Sequence, residues 1–237
     1  MSVKRELIKG TLILTAAGFA ARLLGFFNRV YLANLISNAE LGRYQLIFPI
    51  FMFCMAVSCA GIQVAVSKIV AAYHGAGKKK AIRQTVKSAG IMSLIVALLS
   101  SSCVIAFSEP ISRWILKDIS CRGYLVIMAI AIPFAAVHTC VGGYFYGIRH
   151  TAVPAVTQLL EQVVRVVTIY LLGAMMYQKG KIDASVAVWG LAAGEIFSCF
   201  FELGFVIDLV FEVKMGDQGA GSRSEKSSDN CGSMAVF

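Results

Sequence analysis

The chain has 237 residues, of which 58% are hydrophobic and only 15% charged, and it carries a formal net charge of +9 with a mean hydropathy of +0.74. Soluble domains carry about 25% charged residues, so these values exclude an ordinary water-soluble enzyme and place most of the chain in lipid. The excess of lysine and arginine is then a matter of membrane topology, and nucleic-acid binding is not needed to explain it.

A membrane-spanning helix takes about 20 apolar residues, and six runs of that kind occur, at about 10–34, 44–72, 88–108, 123–147, 153–177 and 184–211. The predicted fold is an all-α integral membrane bundle of six transmembrane helices over residues 1–212. Lys4, Arg5 and Lys9 precede the first run as in a signal peptide, but the run is too long, holds Arg22 and Arg29, and lacks a small-residue cleavage site. It is read as a retained helix. At 100° per residue Gly18, Arg22, Gly25 and Arg29 fall within about 60° of one another. An arginine facing lipid at mid-bilayer costs at least about 2.5–3.5 kcal/mol, so this stripe is expected to face protein or a watery cavity, with Arg29 nearer an interface to which it can snorkel.

The second and fourth spans contain Pro49 and Pro133, each of which removes a backbone hydrogen bond and favours a kink. Gly75–Lys80 ends in three lysines but lacks the spacing and the Ser/Thr of a phosphate-binding loop, so it reads as a positively charged cytoplasmic loop. Ser108–Asp118 places Ile111, Trp114 and Ile115 on one face, which predicts a short helix at the outer interface. His138 has no metal or nucleophile partner near it in sequence and reads as a hydrogen-bonded packing residue. The seven scattered cysteines have no CxxC pair and indicate neither a zinc site nor a disulfide framework. Gly143/Gly147 and Gly190/Gly194 are spaced for close helix approach.

The fifth span opens with Pro154, suited to a first helical turn, and then presents Gln158, Glu161, Gln162 and Arg165 on one face, with Glu161 and Arg165 at ion-pair spacing. In the sixth, Glu195 and Glu202 share a face with Ser198 between them. Arg22, Arg29 and Arg165 balance Glu161, Glu195 and Glu202, which predicts a cavity where arginines and carboxylates partner one another until a substrate or ion exchanges them. A carboxylate so placed can carry protons. The competing reading, that these pairs only hold helices together, stays open. After Lys214 the Gly- and Ser-rich composition without periodicity predicts a disordered cytoplasmic tail over 213–237. With the N-terminus inside, twelve basic residues fall on inner segments and six (Arg43, Arg113, Lys117, Arg122, Lys179, Lys181) on outer ones, which favours both termini in the cytoplasm. No hydrolase or metalloprotease motif occurs, and no enzyme activity or cofactor is expected.

Four stretches, Arg22–Arg29, Leu41–Pro49, Gly61–Lys68 and above all Gly143–Arg165, carry a resemblance. Over about residues 5–212 the chain resembles the stage V sporulation protein B and polysaccharide-export branch of the multidrug/oligosaccharidyl-lipid/polysaccharide exporter superfamily. The resemblance implies one lobe of a MATE-like flippase in the bacterial cell membrane. Two such six-helix lobes enclose a cavity, through which alternating access carries an undecaprenyl-diphosphate-linked saccharide or peptidoglycan precursor outward. It also implies that Arg22, and less directly Arg29, contact phosphate oxygens, chemistry that suits guanidinium. Gln158, Glu161, Gln162 and Arg165 are expected to line the same cavity, and Glu195 and Glu202 to couple transport to ions or protons. Members of this branch have twelve to fourteen spans, so this chain reads as an N-terminal lobe that needs a second lobe or a second copy of itself. A cation-coupled multidrug antiporter and a non-transporting membrane scaffold are the alternative readings.

Overall fold

The computed structural model describes residues 3–177 and 182–206, with side chains from Gly10 onward except at Ile13. The expected tail at 213–237, the end of the sixth span with Asp208, and the loop residues Lys179 and Lys181 lie outside the described residues. The chain divides into two compact units, Met1–Glu202 and Leu203–Phe237. The first is described below; of the second, only residues 203–206 are described, and they are helical.

The helices are α1 (Val3–Leu35), α2 (Asn38–Met55), α3 (Gly61–Gly75), α4 (Lys79–Ala106), the single turn α5 (Ser108–Pro110), α6 (Cys121–Gly147), α7 (Ala152–Tyr177) and α8 (Ser185–Val206). Among the described residues, six helices are long and apolar enough to cross a membrane, α2 and α3 forming one continuous span over Asn38–Gly75. The protein is a multi-pass membrane protein, as its hydropathy requires. Ser37 caps α2 by accepting from the Glu40 N–H at 3.4 Å. Pro49 and Pro133 both lie inside continuous helices. A wider helical turn at Ala56–Ala60 joins α2 to α3 within the second span.

At the centre stands α6, where Ala129, Ala131, Ala135, Ala136, Gly142 and Gly143 are all buried. Lipid tails are as apolar as leucine, so helices associate here through close packing and interhelical hydrogen bonds. Small residues permit both. A Cβ on Gly143 would lie 2.9 Å from the Gln63 carbonyl oxygen, and one on Gly147 would lie 2.7 Å from Val70 Cβ and 2.9 Å from the Ser67 carbonyl oxygen, so α3 and α6 touch backbone to backbone there. Gly194 brings α8 onto α7 in the same way, at 3.2 Å from the Glu161 carbonyl oxygen. From α4, Ser93 and Ser101 donate to the Ala136 and Ala129 carbonyls of α6 at 3.3 and 2.7 Å. The second bond has a specific cause. Residue 133 is a proline without an N–H, so the carbonyl four residues earlier, that of Ala129, has lost its helical donor, and Ser101 supplies a replacement.

One end of the bundle is fastened by charge. Glu40 accepts from Arg43, from Tyr124 Oη at 3.1 Å and from the Ala184 N–H at 3.0 Å, while Arg43 Nε donates to Asp118 at 2.7 Å. This guanidinium, with the Ser120 N–H, holds the Asp118 carboxyl below the usual carboxylate range. Arg43, counted among the loop charges, is thus a helix residue neutralised on the spot. The expected interfacial helix is the turn of α5 followed by a wide turn at Ile111–Ile115; Ile111 packs onto the core while Trp114 is 81% exposed.

Two outcomes test this packing. Gly147→Ala is expected to destabilise by about 1–3 kcal/mol through overpacking, whereas Gly90→Ala, with nothing within 4 Å of the new methyl group, stays within about 0.5 kcal/mol, both read from denaturant unfolding in detergent. Ser101→Ala is expected to cost about 0.6–1.7 kcal/mol. On a Pro133→Ala background, where residue 133 regains its N–H, that cost shrinks toward zero; an uncoupled double-mutant cycle refutes the replacement role.

Candidate functional site

The helical spacing that gathers Gln158, Glu161, Gln162 and Arg165 on α7 also splits them between two neighbours, because the four span a broad arc. Gln158 and Gln162 turn to α1: Cβ atoms built on Gly18 and Gly25 would lie 4.0 and 3.8 Å from their Oε1 atoms. The glycines of the α1 stripe therefore make room for the glutamines of α7. Arg22 and Arg29, on the same stripe, are exposed and make no ion pair with any described residue. Arg29 stands within electrostatic reach of Tyr44, as does Arg165.

Glu161 and Arg165 turn the other way, into the seam where α7 meets α6 and α8. Arg165 Nη2 lies 2.5 Å from Glu161 Oε1 and 3.6 Å from Glu195 Oε1, and His138 Nε2 of α6 lies 3.1 Å from Glu195 Oε2. The approach of α8 to α7 at Gly194, directly before Glu195, makes the interhelical distances this short. Two turns on, Glu202 is 2% exposed, and among the described residues its Oε2 has no hydrogen-bond partner; the buried Ser198 Oγ and Arg165 Nε also lack one there. The Glu202 carboxylate rests against Gly142, one helical turn from His138, beside Gln63 Nε2 of α3. Thr157 sits next to it but donates its hydroxyl to the Val153 carbonyl at 3.0 Å.

The geometry corrects one expectation and sharpens another. The α1 arginines do not partner the carboxylates; Arg165 and His138 do, and among the described residues Arg22 and Arg29 stay unpaired on a separate face. His138 is hydrogen-bonded, and its partner is a carboxylate of the charged cluster. Its position inside a span was the signal, since ionisable groups in hydrocarbon are expensive and carry partners. Gln63 and Tyr44, also near these groups, had no such signal.

This arrangement sits in a recognisable frame. The model of the family described as polysaccharide biosynthesis protein matches residues 7–209. The chain belongs to that family. It is 30% identical over 203 residues to stage V sporulation protein B of Bacillus subtilis (strain 168), covering 84% of this chain and 38% of that protein. It is 25% identical over 182 residues to the lipid II flippase MurJ of the same organism, covering 71% of this chain and 32% of the flippase. The chain thus spans about a third of the length of these relatives. Among solved structures, the outward-facing form of a multidrug resistance MATE family transporter of the MOP superfamily matches 86% of this chain and 45% of its own at a TM-score of 0.67 and 15% identity. A MOP superfamily transporter from Pyrococcus furiosus gives 0.69 at 15% identity. The fold is that of one lobe of a MATE-like transporter.

The site separates into a structural and an exposed part, and stability measurements tell them apart. Arg165→Met leaves Glu161 and Glu195 buried without their guanidinium and is expected to destabilise by about 3–5 kcal/mol. Arg29→Met, which breaks no pair, is expected to stay within about 0.5 kcal/mol in the same unfolding titration.

Proposed function

We propose that this chain supplies one lobe of a flippase that moves an undecaprenyl-diphosphate-linked cell-wall or polysaccharide precursor to the outer leaflet of the bacterial cell membrane, with both its termini in the cytoplasm. The observation that carries this reading is the unpaired state of Arg22 and Arg29. Two cations on one helical stripe, lined on one side by the carboxamides of Gln158 and Gln162, are held in a lipid-soluble bundle without a carboxylate of their own. Such cations call for an anionic partner that comes and goes, and a diphosphate meets paired guanidinium donors well. The relatives named as a lipid II flippase and as a sporulation protein of the same family support an amphipathic, anionic substrate of this kind.

On this reading a second lobe closes the cavity over the arginine stripe. Glu195 and Glu202, with their partners in the seam, serve to exchange an ion or protons as the lobes rock. That carboxylate cluster also favours a second reading, a cation-coupled antiporter of small molecules like the multidrug transporter that shares the fold. A drug-efflux rate that ignores sodium and proton gradients counts against it.

The test is flipping of a fluorescent undecaprenyl-diphosphate saccharide in proteoliposomes, with the chain reconstituted alone and with a second lobe. A hydrogen bond to a charged group contributes about 1.5–3 kcal/mol, so Arg22→Ala is expected to slow flipping about 10- to 100-fold, with Arg22→Lys falling between. Unchanged flipping in Arg22→Ala removes the residue from the mechanism.

A further inference from the structure

The buried seam between α6, α7 and α8 holds more negative charge than the chain neutralises. Glu161, Glu195 and Glu202 face one guanidinium, that of Arg165, and an imidazole, so with the imidazole neutral the ionised cluster keeps two negative charges inside the membrane. Uncompensated charge in such surroundings is far too costly to persist. We propose that this seam binds a transition-metal dication, ligated by His138 Nε2 and by one carboxylate oxygen each from Glu195 and Glu161.

Geometry argues for it first. The three donor atoms all lie within 4.8 Å of one another, and the 3.1 Å between His138 Nε2 and Glu195 Oε2 is close to the separation of two donors on one tetrahedral ion with bonds of about 2.0–2.2 Å. Arg165 approaches Oε1 of Glu161 and Oε1 of Glu195, so each carboxylate keeps its other oxygen for a metal while the guanidinium fixes its orientation. Outer partners of this kind set ligand geometry in metal sites. An independent observation comes from Glu202, almost wholly buried, whose Oε2 has no hydrogen-bond partner among the described residues. It stands within electrostatic reach of His138 and Glu161, where a dication would bring the whole cluster to neutrality.

The donor set selects the ion. Imidazole with carboxylates suits zinc, cobalt, nickel and copper, whereas magnesium and calcium take six or more oxygens. Cys59 is a competing donor, close enough to Glu195 to interact with it electrostatically. Metal binding is an equilibrium property of the folded chain, and it is measurable whether or not the chain transports anything.

The full chain in lipid nanodiscs, stripped with a chelator, is titrated with Co²⁺ by visible absorption and with Zn²⁺ by calorimetry and competition. One equivalent is expected, with a tetrahedral cobalt band, a rise in unfolding temperature, and no displacement by Mg²⁺ or Ca²⁺. His138→Ala and Glu195→Gln are each expected to weaken Zn²⁺ binding at least about tenfold, and Cys59→Ala to leave it unchanged; the unfolding curves report whether each variant is folded. Absence of a saturable cobalt band in the wild type overturns the proposal and leaves protons as the neutralising species. So does a band that survives both His138→Ala and Glu195→Gln, or one that carries a thiolate charge-transfer component and disappears in Cys59→Ala.

Discussion

Inside hydrocarbon a carboxylate has no water to turn to, and the lobe is arranged around that fact. Two buried glutamates of α8 and a partly buried one of α7 lie together, and their tolerance depends on how closely α7, α8 and α6 approach. Gly194 sets the first distance and the small residues of α6 set the second. With a larger residue at 194, α8 stands off from α7, and the Arg165 guanidinium no longer reaches both Glu161 and Glu195. Backbone packing and charge pairing are therefore one problem here, solved by the same glycines.

The same rule governs the backbone itself. Every main-chain polar group in a span needs a partner within the protein, and Pro133 deprives one carbonyl of its own. The Ser101 hydroxyl meets that need from the adjacent helix, so a residue that weakens α6 internally becomes a point of attachment for α4. The wide turn at Ala56–Ala60 is a comparable accommodation within the second span, placed between α2, which packs at one end of α6, and α3, which packs at the other.

The spans were legible because lipid imposes a length and an apolarity that few other environments demand, and the glycine pairs were legible because only small residues permit backbone contact. The Glu161–Arg165 pair followed from helical spacing alone. What did not follow was the choice of neighbour. A face 100° wide can be shared between two helices, and nothing within α7 says that Gln158 and Gln162 go to α1 while Glu161 and Arg165 go to α8. The remaining counterparts of the glutamates escaped for the same reason: charge balance within the spans is met by counting Arg22 and Arg29 beside Arg165, but distance is met by Arg165 and His138. His138 is 23 residues from Glu161 and 57 from Glu195, far beyond any local motif, and only the packing of three helices brings them together.

The Glu40 cluster has a mechanical consequence. It ties the start of α2, the start of α6, the segment before it and the turn before α8 at one end of the bundle. At the opposite end, where α1 and α7 begin, Thr151 donates to the Gly10 carbonyl at 3.3 Å, and a Cβ on Gly10 would lie 3.0 Å from that hydroxyl. Elements far apart in sequence are thus fastened by charge at one end and by close backbone approach at the other.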